Sequence, residues 1–202
     1  MILDQSENNK RIAKNTLLLY FRMFFTMAVT LYTSRVILKA LGVEDFGIYN
    51  VVAGIVTLFS FFSGALSSAA SRFISFELGS NNTSYLSKVF SAIFIIHLLF
   101  SVVVVCFAET IGLWVVNCKL TIPPERIFAA HVVYQFSVFS CIVGIMQIPL
   151  NAMIIAHERL GIYAYMSICE VIGKLSIAFV VTYCSFDHLI VYAVSYTHLR
   201  AH

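Results

Sequence analysis

Residues 11–41 read RIAKNTLLLYFRMFFTMAVTLYTSRVILKAL, and this stretch decides the fold. It is apolar along nearly its whole length. At 1.5 Å per residue it is longer than the ~30 Å hydrocarbon core of a bilayer. Arg22 lies inside it. Counted from Arg11, Arg22 falls roughly 15 Å from the start of the helix, near the middle of such a core. A guanidinium at that depth costs at least ~2.5–3.5 kcal/mol on insertion scales, so it is expected to face a protein interior or a wet cavity. The use of such a cation is to hold an anion, or, structurally, to pair with a carboxylate on another helix.

Composition extends the membrane reading to the whole chain. Of the 202 residues, 60% are hydrophobic and 11% charged, where a soluble domain carries about 25% charged residues. The mean hydropathy is +0.89. Three runs, Phe46–Ser71, Val89–Ala108 and Ile127–Ala156, contain no Asp, Glu, Lys or Arg. Each is long enough to span, which excludes a soluble core. The net charge of +3 is too small to point to nucleic acid. Cys106, Cys118, Cys141, Cys169 and Cys184 stand singly, without a CxxC or Cys/His spacing, so no metal site or disulfide framework is indicated. The first apolar stretch is too long for a signal peptide and lacks a small-residue cleavage site after it.

The chain therefore reads as an all-α integral membrane protein of about five complete spans and the start of a sixth. Residues 1–11 are a polar N-terminal tail. Helices are expected over 12–41, 46–73, 86–116, 125–148, 163–184 and 189–194. Gly42 caps the first helix. Ser63–Ser71, almost all small residues, is a tight packing face of the second. Gly79–Ser84 is a loop. Pro149 ends the fourth helix, and residues 151–163 form a short interfacial segment. With the N-terminus in the cytoplasm, Lys10, Arg11, Lys14, Arg72, Lys88 and Arg159 lie inside, and Lys39, Lys119 and Arg126 outside. That asymmetry sets the orientation.

Besides Arg22, several ionisable residues fall within the apolar segments. Arg35 lies thirteen positions on, about 20 Å along the axis and about 140° around it, so the two do not form one clamp. It either lines the same route or snorkels to the outer interface. Glu170 and Lys174, spaced i, i+4, either neutralise one another or place Lys174 in a cavity with Glu170 setting its charge or coupling transport to an ion. His97 and Glu109 are candidate proton relays; the plainer reading of His97 is an interhelical hydrogen bond. Arg72 either meets an entering headgroup or is ordinary inside charge. Glu44 and Asp45 read as caps of the second helix. No HExxH, GxSxG or P-loop occurs, and no enzyme is indicated.

Several stretches together resemble a known family: KRIAKNTLLLYFRM (10–23), LYTSRVILKALGVEDFGIYNVVAGIV (31–56), SSAASRFISFELG (67–79), IPLNAMIIAHERLGIYAYMSICEVIGKL (148–175) and FDHLIVYAV (186–194). They resemble the N-terminal region of Wzx-type O-antigen and polysaccharide flippases, of the multidrug/oligosaccharidyl-lipid/polysaccharide exporter superfamily. The likeness covers about residues 9–194. Single motifs are loose; their order and spacing are the specific part. The resemblance implies twelve to fourteen helices in two lobes, of which this is the N-terminal lobe. It implies alternating access that moves an undecaprenyl-pyrophosphate-linked oligosaccharide across the bacterial inner membrane, and a cationic cavity. Arg22, Arg35, Lys174 and Arg72 are its cavity candidates. The implied partners are the lipid-linked oligosaccharide, the lipid bilayer, and polymerase and glycosyltransferases of the same pathway. No cofactor and no nucleic acid are implied.

The departure is SYTHLRAH (195–202), where polar and basic residues replace an apolar span. It is expected to be a foreign read-through tail on a fragment. Three alternatives stand beside the flippase: a multidrug or small-metabolite cation antiporter of the same superfamily, an inactive half-transporter, and a membrane glycosyltransferase or polymerase. The last would need a large catalytic loop, which the chain lacks.

Overall fold

The computed structural model describes residues 2–80, 83–184 and 186–201. Every element among them is helical. α1 is Ile2–Thr57, bent at Gly42 into arms 2–41 and 43–57. A tightened turn, Leu58–Ser60, leads to α2, Phe61–Gly79. α3, Thr83–Phe107, continues through a widened π turn, Ala108–Gly112, into α4, Leu113–Cys118. The short turn Pro124–Arg126 opens α5, Ile127–Ala156. α6 is Leu160–Tyr183 and α7 is His188–Ala201.

Among the described residues, four stretches are long and apolar enough to cross a membrane: Ala13–Thr57, Ser84–Cys118, Pro124–Ala156 and Leu160–Tyr183. They are compatible with a membrane-embedded protein. α2 falls outside this set because its serines, alanines and glycine, with Arg72 and Glu77, dilute its apolarity.

Several boundaries differ from expectation. The helix begins at Ile2, so residues 2–11 are helical and continuous with α1, whose membrane-compatible stretch begins at Ala13. Gly42 breaks the helix as expected, at φ 78 and ψ 174, a region open essentially to glycine. The second arm resumes at once, with no intervening turn. The expected single helix over 46–73 is interrupted at Leu58–Ser60. There the Thr57 hydroxyl takes the Gly54 carbonyl at 2.7 Å and competes with the backbone ladder. Pro149 does not end the fourth helix, which runs on to Ala156 with Pro149 buried inside it. Proline removes one backbone bond, and neighbouring helices tolerate that in a packed bundle. The expected interfacial segment is therefore the end of α5, a turn at His157–Arg159 with Glu158 at φ 56, and the start of α6.

The last helix also runs past residue 194, to Ala201. A helix packed on protein needs only one apolar face. Thr197, buried on that face, donates its hydroxyl to the carbonyls of Ala193 (2.8 Å) and Phe136 (3.2 Å).

Helix directions follow from the order of cross-helix pairs. Arg22 meets Ser167, Tyr32 meets Phe179 and Ala40 meets His188, so the first arm of α1 runs parallel to α6. Asp45 meets Arg126, Arg126 meets Asp187, Tyr49 meets Tyr192 and Phe136 meets Thr197. The second arm, α5 and α7 are thus parallel to one another. The larger core joins these two groups with α3 through Ile37, Val52, Val104, Val133, Ala178 and Leu189. A smaller one joins α2, α3 and α5 through Ala70, Ile74, Ile93, Ile148 and Ala152. Within Ser63–Ser71, Ala70 is buried and Ser63, Leu66, Ser67 and Ser71 are half-buried on one stripe, while Gly64, Ala65, Ser68 and Ala69 are exposed, and a Cβ on Gly64 would meet nothing within 4 Å.

Candidate functional site

Arg22 is the centre of the candidate anion site. It is half-buried between the first arm of α1 and α6. Its Nη1 donates to Ser167 Oγ at 3.2 Å, and its guanidinium carbon lies 4.7 Å from the centre of the Tyr163 ring. Ser167 also donates to the Tyr163 carbonyl at 2.9 Å, which leaves an oxygen lone pair for the arginine. Arg22 Nε is buried, without a partner among the described residues. Among the described residues no carboxylate is within ion-pair reach of Arg22. The structural alternative, a cation neutralised by an acid on another helix, is not what these residues form.

Ser167 lies about 10 Å into α6, which is about 36 Å long. Arg22 therefore stands opposite the first third of α6. Within its own arm, 2–41, Arg22 stands about 30 Å from Ile2 and about 29 Å from Leu41.

The cation nearest the middle of α6 is Lys174. It pairs with Glu170 at 2.6 Å, and the two straddle the middle of α6. Its Nζ also lies 5.0 Å from the centre of the Tyr196 ring on α7. Tyr163, Ser167, Glu170 and Lys174 recur at helical spacing and share one stripe of α6. Arg22 and Lys174 thus lie along a single face, with an acid between them.

The other candidates are not brought to this face. Arg35 is exposed near the far end of the first arm. Arg72 is exposed on α2, which packs on α5 and α3. His97 is 2% exposed; its Nδ1–H donates to the Ile93 carbonyl at 2.8 Å and its Nε2 has no partner. Glu109 is exposed and accepts from Gln135 at 3.3 Å. His97 and Glu109 lie about 18 Å apart along α3, too far for direct proton transfer.

A cavity of about 110 Å³ opens between the second arm of α1, α5 and α7. Its polar lining comes from the hydroxyls of Tyr49, Thr57, Ser137, Ser140, Tyr196 and Thr197. None of the four cavity cations lines it; Lys174 reaches it only through the ring of Tyr196.

At the Gly42 end of the bundle sits a charged cluster. Arg126 bridges Asp45 (2.8 Å) and Asp187 (2.7 Å). Asp45, read from sequence as a helix cap, is buried by this pairing, with its side chain 8% exposed. No local pattern marks the three, because they come from α1, the turn Pro124–Arg126 and the residue before α7.

No protein-family model, curated protein or solved structure matches the chain.

Proposed function

We propose that the chain is the N-terminal lobe of a bacterial inner-membrane flippase that carries a pyrophosphate-linked oligosaccharide lipid by alternating access, with its N-terminus in the cytoplasm. The observation that carries the reading is Arg22: a guanidinium inside an apolar bundle, steadied by Ser167 and Tyr163, with no described carboxylate to neutralise it. A cation held that way is prepared for an external anion, and a pyrophosphate matches its fork. Lys174 supplies a second charge farther along the same stripe.

The helix directions support the architecture. Glu109 meets Gln135 and Ile93 packs with Ile148, so α3 with α4 runs against α5, and the first arm of α1, α3 with α4, and α6 alternate with the second arm and α2, α5, and α7. On this reading the bent second arm and α2 form one crossing, which makes five crossings and the start of a sixth. The Lys and Arg asymmetry supports the orientation.

The test is export of lipid-linked sugar in cells carrying the full-length gene. Arg22→Ala should abolish export with the protein still in the membrane. Wild-type export by a well-expressed variant refutes the reading.

A second reading, a cation antiporter, draws on Glu170, whose side chain is 42% exposed beside Lys174. Under it, Glu170→Gln abolishes transport while Arg22→Ala does not.

A further inference from the structure

The Gly42 kink carries a cluster that its conformational role does not explain. Gly42 ends the first arm of α1, leaving that arm's last carbonyls without helical donors. One of them, the Ala40 carbonyl, is taken by His188 Nδ1 at 2.9 Å. The other ring nitrogen, Nε2, lies 2.9 Å from the Cys184 carbonyl at the end of α6. A carbonyl oxygen only accepts. Both bonds therefore form together only when both ring nitrogens carry a proton, which is the imidazolium. One ring thus caps two parallel helices at once.

The surroundings favour that cation. Asp187 is the adjacent residue, just before α7, and Asp45 faces from the second arm of α1, with Glu44 beside it. Arg126, at the turn that opens α5, is the opposing charge, and it is already bound to both aspartates at 2.7–2.8 Å. Cys184 of α6 contributes its carbonyl. Asp187 Oδ1 also accepts from the Leu189 amide at 3.0 Å, which fixes the start of α7 beside the ring. The two backbone carbonyls, foremost that of Ala40, raise the His188 pKa above the ordinary histidine value, with smaller contributions from Asp187 and Asp45.

We infer that His188 is a proton-dependent latch on the Gly42 hinge: protonated, it ties the first arm of α1 to α6 and α7; deprotonated, it releases one of the two ends. Loss of the proton turns one N–H into a lone pair facing a carbonyl oxygen, so that contact becomes repulsive. The sign follows from the raised pKa. The tie is complete below the ordinary histidine range of about 6.5 and is lost as pH rises through the higher folded value. Arg126 keeps α5 joined to both aspartates throughout, so the freed element is the end of the first arm. The inference does not depend on which solute the protein carries.

The test uses spin labels on cysteines placed at Lys39 and Tyr183, both exposed, in the full chain with its native cysteines replaced. A control pair at Val102 and Phe139, also exposed, reports the bundle away from the cluster. The Lys39–Tyr183 distance distribution should be narrow at about pH 5.5 and broad at about pH 8.5. In His188→Gln it should be broad at both, with the control pair unchanged. An unchanged wild-type distribution across that range, or a pH response that survives in His188→Gln, overturns the latch. If His188→Gln also disturbs the control pair, Asp187→Asn decides. It keeps the helix-capping oxygen, removes a charge that favours the imidazolium, and should move the midpoint to lower pH. An unmoved midpoint overturns the latch as well.

Discussion

Arg22 Nη1 and Ser167 Oγ lie 3.2 Å apart, so the first arm of α1 and α6 meet at a cation and a hydroxyl rather than at an ion pair. A hydroxyl satisfies one N–H of a guanidinium and leaves its charge uncompensated. The pair holds the side chain in place without neutralising it.

Arg22→Ala is expected to accumulate normally, because no described carboxylate is left unpaired by it. The cation–π contact it loses is worth ~0.5–2 kcal/mol. Removing the guanidinium returns up to ~2.5–3.5 kcal/mol of insertion cost, less away from the bilayer centre. The two offset. Arg22→Lys should retain part of the export activity, since the charge stays and the fork is lost. Membrane-fraction immunoblots beside sugar-export assays separate stability from function. Poor accumulation of Arg22→Ala would mean that its packing outweighs the membrane term.

Lys174 and Glu170 should behave as a unit. Lys174→Met leaves the Glu170 carboxylate without its 2.6 Å partner and should reduce the folded yield. Lys174→Met with Glu170→Gln should restore it, because neither charge then remains. Folded yields by size-exclusion fluorescence test this. Equal yields for the single and double variants would show that Glu170 is satisfied by solvent.

Gly112→Ala should be strongly destabilising. A Cβ there meets the Tyr134 hydroxyl, which donates to the Ala108 carbonyl at 2.7 Å across the π turn. Tyr134→Phe alone should cost about 1 kcal/mol, the worth of that bond. It should also recover part of the Gly112→Ala loss, so the two effects are not additive. Reversible unfolding in mixed micelles measures the cycle. Simple additivity would mean the tyrosine ring already moves freely.

Gly42→Ala should cost about 1–3 kcal/mol through the backbone alone. Nothing lies within 4 Å of a Cβ at this position, so crowding contributes nothing. A loss well below that range would show that the kink relaxes into an ordinary conformation.

Topology is checked by labelling single cysteines from outside intact cells. A cysteine at Thr121 should react and one at Glu158 should not, given the Lys and Arg asymmetry. The reverse pattern would invert the orientation and put the Gly42 cluster on the cytoplasmic face.

Much of this was legible in the sequence. Apolar run length alone makes the chain helical and membrane-compatible, because without water each backbone group must be satisfied within its own helix. Gly42 was readable as a break, since only glycine takes that conformation at little cost. The Glu170–Lys174 pair was readable from its i, i+4 spacing. These are local properties, decided within one or two helical turns.

What tertiary structure decided is which charges meet. That Arg22 faces Ser167 and Tyr163, that Arg126 gathers Asp45 and Asp187, and that His188 caps the first helix from 148 residues away all depend on the register of one helix against another. So does the place along α6 that Arg22 faces, because a helix start read from polarity is not a position along its neighbours. Helix register is set by packing summed over many side chains along both surfaces, and no single stretch of sequence carries that sum.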